Sequence, residues 1–202
     1  MEAVPADIRV VRLVLGDDFA QVRANSSQAF PPGPIPDSHP LAVTEPVILE
    51  YKYPGHSFRL PPGRYLWIDT YAQHVCLIRC SPHLSYLDRE AAFALVKELM
   101  ALFEERGWTR RSGGLPPIEV VRAELNNPRT DSEYVTDVGR WATGDDRLGL
   151  RLSRTMTVVR TPTGAGPTLE QFLVTVSVEN EKVYSTYDAI AKQRKAAGRP
   201  KT

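Results

Sequence analysis

Hydrophobic side chains recur along this chain in two rhythms. Phe93, Val96, Met100 and Phe103 return at intervals of three and four, with Leu95, Leu99 and Leu102 beside them. That broad stripe predicts an α-helix from about Asp88 to Arg106, with Asp88 as N-cap, Glu90 in the first turn and Gly107 just past the end. At about 1.5 Å per residue it would be roughly 28 Å long and would lie on a sheet. Elsewhere the period is two. Leu148, Leu150 and Leu152 alternate with Gly149, Arg151 and Ser153, and Phe172, Val174, Val176 and Val178 form one side of 171–179. Such alternation predicts strands with one buried and one wet face.

Shorter runs fill in the rest. Ile8–Leu15, Val47–Tyr53, Phe58–Leu60 and Tyr65–Ala72 read as strands, and His74–Cys80 either continues the last or pairs back on it. Asp17 is placed to cap a short helix through Asn25. Six prolines between Pro31 and Pro46 exclude a helix or a central strand there and predict an extended surface arm. Residues 109–117 form a loop, 118–125 a strand or a short helix, and 126–132 a second loop. Val135–Thr143 and Arg147–Arg154 should pair across Gly144-Asp145-Asp146, with 155–161 extending the second strand or bending away. A loop over 162–167 and a last helix from about 186 to 197 complete the reading.

The fold class is therefore α+β: mainly antiparallel sheet covered by one long helix (about 88–106) and a C-terminal helix (about 186–197). Strands precede a helix twice. This fits one continuous domain over 1–202, the preferred reading, or two α/β halves, 1–112 and 113–202, each with its own sheet.

Composition narrows the function classes. With 25 basic and 24 acidic residues, no global field selects nucleic acid or an anionic membrane. No apolar run approaches the ~20 residues of a membrane span. The first residues lack a basic and then apolar leader, which leaves a cytoplasmic chain or a processed periplasmic one. The Pro and Ala residues before the first strand lean toward the periplasm. Arginine outnumbers lysine 19 to 6, a bias associated with GC-rich bacterial genomes.

Candidate chemistry is sparse. His74, Cys76, Cys80 and His83 fall within ten residues, but along a strand they spread at ~3.3 Å per residue, too far to converge on one metal. A Cys76–Cys80 disulfide would need Leu77-Ile78-Arg79 to turn, since an extended i,i+4 pair is about 13 Å apart and a bridge needs about 7 Å. Two free buried thiols are the plainer expectation. The acidic pairs Asp17-Asp18 and Asp145-Asp146 suit caps and turns, and the glycine loops lack the residues of a phosphate cradle. No catalytic residue, cofactor or metal is assigned. The basic tail from Lys192 reads as a frayed helix end rather than a nucleic-acid contact.

Tyr51, Tyr53, Tyr65, Trp67 and Tyr71 cluster on neighbouring predicted strands, with Tyr65, Trp67 and Tyr71 sharing a face by parity. They are the candidate interaction surface, set against the commoner alternative that the rings fill the core. The leading expectation is thus a non-enzymatic bacterial protein that binds another protein: an inhibitor, an immunity-type protein or an assembly factor. The alternatives are an enzyme with a dispersed site around Cys76, Cys80 and His74, and a carrier of a small apolar ligand. An aromatic patch rimmed by arginine would favour the first. A strongly shifted titratable group in a deep cleft would favour the second, and an apolar cavity without such groups the third.

Overall fold

The computed structural model describes residues 7–32, 40–111, 113, 115–127, 133–161, 164–180, 182–183, 185–186 and 189. Among the described residues, ten strands and three helices follow in the order β1 (Arg9–Leu13), α1 (Phe19–Asn25), β2 (Pro40–Val43), β3 (Val47–Tyr51), β4 (Phe58–Arg59), β5 (Tyr65–Tyr71), β6 (His74–Ser81), α2 (Arg89–Glu105), β7 (Thr109–Arg110), α3 (Ile118–Leu125), β8 (Glu133–Thr143), β9 (Asp146–Thr161) and β10 (Gly164–Asn180). The protein is α+β, as the hydrophobic rhythms predict. Apart from residues 186 and 189, the expected C-terminal helix lies outside the described residues.

Seven strands form one antiparallel sheet in the order β2-β5-β6-β10-β9-β8-β7. A smaller sheet, β1-β3-β4, contains a parallel pair, β1 with β3. The large sheet takes strands from both sides of the 109–117 loop, because β6 pairs with β10. Two halves with separate antiparallel sheets are therefore not what the strands build. Val176 and Val178 find their apolar neighbours in Cys80 and Ile78, and that pairing crosses the expected boundary.

One face of the large sheet is buried. Leu66, Ile68, Ile78, Leu148, Leu150, Leu152, Val174 and Val176 point into it, and α2 covers it with Ala92, Phe93, Val96, Leu99 and Phe103. The Asp88 carboxylate caps α2 by accepting the Ala91 N–H at 2.8 Å, and Gly107 follows it at φ +78. The small sheet lies against the same core. Phe58 packs edge-on to Phe103, and Phe103 edge-on to Trp141. Residues 118–125 are helical, burying Val121 and Leu125.

Four further details differ from the sequence reading: the first is that Thr109 and Arg110, at the start of the expected 109–117 loop, pair with β8 as β7. The cap of α1 is Asp18, which accepts the Ala20 N–H, while the Asp17 carboxylate takes the Val14 N–H. Part of the proline-rich arm is a strand. Pro40 opens β2, which is short and at the sheet edge, where a missing N–H is tolerated. The expected 162–167 loop is mostly strand, since β10 begins at Gly164 and the β9–β10 hairpin runs well past the end of β8.

Candidate functional site

Alternation along the large sheet sends every second side chain to its other face. Among the described residues, no helix or strand covers that face. Its side chains follow from the register. Across one row stand Trp67, Arg79, Ser177, Gly149 and Arg140, each opposite the next on the neighbouring strand. The adjacent row carries Tyr65, Ser81, Thr175, Arg151 and Asp137. Neighbours in a row are about 4.8 Å apart along the hydrogen-bonding direction.

Two connected depressions mark the face. One, of about 420 Å³, is lined by five arginines (Arg79, Arg111, Arg140, Arg147 and Arg151) and two carboxylates, Asp137 and Glu179. Its floor holds Thr175, Ser177 and Gly149. The second, of about 620 Å³, shares Thr175 and continues past Tyr65 and Leu173 to Arg64 and Tyr86. There the Arg64 guanidinium lies 4.7 Å from the Tyr86 ring centre.

The arginines differ in their engagement. Asp137 accepts from Arg151 Nε at 2.8 Å and from Arg140 at 2.6 Å. Burial alone would raise the Asp137 carboxyl, but these two guanidinium groups more than offset it and hold it below its ordinary value. Arg147 donates to the carbonyls of Gly144 and Asp146. Arg79 is exposed and, among the described residues, makes no salt bridge.

The five aromatic residues singled out from the sequence divide. Tyr65, Trp67 and Tyr71 stand half-buried on the open face of β5 rather than in the core under α2, with Trp67 directly opposite Arg79. The Tyr65 and Trp67 rings are 6.3 Å apart, and the Trp67 indole N–H donates to Asp69 at 2.7 Å. Tyr51 is fully buried, so it cannot belong to a contact surface. Its ring packs on Phe58 and Trp108, and its hydroxyl donates to Asp146 at 2.5 Å. Burial first and the Asp146 charge second push that phenol above its usual value. Tyr53 is half-buried and stacks on Tyr51, away from the open face.

The cysteines and His74 are not brought into one site. Cys76 and Cys80 are free, buried thiols on one strand. The bridge considered from the sequence is absent because Leu77-Ile78-Arg79 stays extended in β6. The Cys76 thiol donates to the Asp69 carbonyl at 3.2 Å. Burial, helped by the Asp69 charge, raises it to about 11, and burial raises Cys80 to about 12. Both are protonated at neutral pH and are poor nucleophiles. His74 Nδ1 faces the Gly16 carbonyl at 3.0 Å. Among the described residues, no three of His, Cys, Asp and Glu converge as a metal ion would require. No helix of the described residues is long and apolar enough to cross a membrane.

The arginine cluster was not singled out from the sequence, since its members come from four separate segments. Its one signal was Gly149 and Arg151 on the wet side of an alternating strand. A third depression, of about 480 Å³, lies between the small sheet and α2, against Ile48, Leu60, Leu95 and Leu99. Compared with known proteins, the chain matches no family model, and no curated protein or solved structure is significantly similar to it.

Proposed function

We propose that this is a non-enzymatic binding protein that receives another protein on the open face of its large sheet, as an inhibitor, an immunity-type protein or an assembly factor would. The observation that carries the reading is Trp67, with Tyr65 beside it, standing opposite Arg79 of the arginine-lined depression on one accessible face. Tyr, Trp and Arg dominate binding hot spots, because they offer large contact area with directed hydrogen bonds. The strip continues along β10 to Leu173 and Leu169, and Val135 is exposed on the neighbouring part of the sheet. A surface that mixes apolar, aromatic and charged side chains suits a protein better than a small solute.

The sheet edges argue for face-on rather than edge-on contact. β2 is four residues long and starts at Pro40, and β7 has two residues. Such short terminal strands offer little template for strand addition, although the first half of β8 and the far end of the β9–β10 hairpin run on beyond their neighbours. The protonated state of Cys76 and Cys80 weighs against a thiol enzyme. A carrier has one observation behind it, the depression against Leu95 and Leu99, although Arg59 and Glu98 at its lining make it only partly apolar.

The test is site-directed photocrosslinking in cells that make the protein. A benzophenone side chain at Thr175 is expected to trap one partner of discrete mass. The same group at Glu98, on the opposite side of the molecule, should not. Adducts of the same kind from both positions, or none from Thr175, would defeat the reading.

A further inference from the structure

The centre of the open face contains a notch. Gly149 sits in the interior of β9, paired with Ser177 and Arg140 one residue from the β8 bulge at Asp137–Gly139, and without a positive φ. Nothing in its backbone conformation calls for glycine. A Cβ there would stand 2.8 Å from the Ser177 hydroxyl, so the missing side chain makes room for that hydroxyl, which is half-exposed at the floor of the depression. Glycine in a strand interior often marks the close approach of another group. Arg79 flanks the notch from β6 and Arg140 from β8, in the same row, with Arg151 one row away. The notch therefore offers one hydroxyl on its floor and guanidinium groups on its walls.

We propose that this notch binds a carboxylate side chain from an acidic, extended segment of a protein partner, with Arg79 as its principal ligand. The inference rests on the function proposed above and supplies its chemistry. Three observations choose the ligand. Arg79 is a planar donor without a salt bridge among the described residues, and guanidinium forks match carboxylates. Asp137 already shows how this surface holds a carboxylate, between the Arg140 and Arg151 groups. The third is the sign pattern. Asp69, Asp137 and Glu179 are interleaved with the arginines on this face. A uniform polyanion such as nucleic acid would meet repulsion at Asp69 and Glu179, which make no salt bridge among the described residues. A protein segment places a carboxylate at Arg79 and neutral or basic side chains opposite the acids.

The experiment uses the full-length chain and fluorescein-labelled peptides, followed by anisotropy. A peptide of alternating glutamate and threonine is expected to bind, more weakly as salt is raised. Arg79→Gln should weaken it about tenfold or more, with Arg79→Lys between the two, because lysine keeps the charge but loses the fork. Gly149→Ser, which fills the notch without changing charge, should also weaken it. Matching far-UV spectra establish that each variant is folded.

The proposal is overturned if the peptide does not bind, if binding is indifferent to Arg79→Gln, or if oligothymidylate of equal charge binds more tightly. The two proposals fail separately. A Thr175 crosslink that persists while the acidic peptide fails would leave a protein interface of another chemistry. Loss of the crosslink would remove the interface itself.

Discussion

His83 is a neutral imidazole by geometry. Its Nε2 accepts the Val174 N–H at 3.1 Å, so Nδ1 carries the proton and donates to the Ser85 carbonyl at 2.6 Å. That contact also satisfies a buried strand N–H beyond the stretch where β6 pairs with β10. Burial is the main reason its affinity for a proton falls below the ordinary imidazole value, and nearby Arg64 acts in the same direction. The unfolded chain then takes up a proton before the folded one does. The stabilisation is complete above about pH 6.5 and is lost as pH falls from there toward the lower folded value. Urea midpoints should decline between pH 7 and pH 5 in the wild type and less steeply in His83→Phe. Equal slopes would show that this imidazole is not the titrating group.

At the scale of elements, the β5–β6 turn is the clearest departure from local preference. Ala72 and Gln73 adopt φ of 49 and 74, a region that costs a residue with a Cβ about 1–2 kcal/mol. Asn-Gly is the usual occupant of such a turn. Its absence is why the sequence left open whether His74–Cys80 pairs back on the preceding strand. The turn persists because its neighbours fix it. The Gln73 carbonyl accepts the Phe19 N–H at 2.8 Å, and the Val75 N–H donates to the Asp17 carbonyl at 3.0 Å. Ala72→Asn with Gln73→Gly is expected to raise stability by about 1 kcal/mol in chemical denaturation. A loss would mean the existing side chains contribute more there than the backbone strain costs.

For the whole molecule, the joint between sheets matters most. Phe58, Phe103, Trp108 and Trp141 form a continuous aromatic cluster between the small sheet, α2 and the large sheet. Phe103→Ala should cost about 3–5 kcal/mol, since the ring is fully buried and touches both sides of the joint. Because one core serves both sheets, tryptophan fluorescence and far-UV dichroism should report a single coincident unfolding transition. Two separated transitions would show that the sheets unfold independently.

The sequence by itself determined what local periodicity can encode. The α2 stripe, the Asp88 cap, the Gly107 stop and the alternation in β9 and β10 each depend on residues a few positions apart, so their signals survive without the fold. The shared face of Tyr65, Trp67 and Tyr71 was legible for the same reason. Parity cannot say which face is covered, however, and Tyr51, a residue of the same type on a nearby strand, went to the core. Strand order was equally out of reach, because the pairing of β6 with β10 joins residues about a hundred positions apart. Only the tertiary structure brought Arg79, Arg140 and Arg151 around Gly149, since register sums over strands that local sequence describes one at a time.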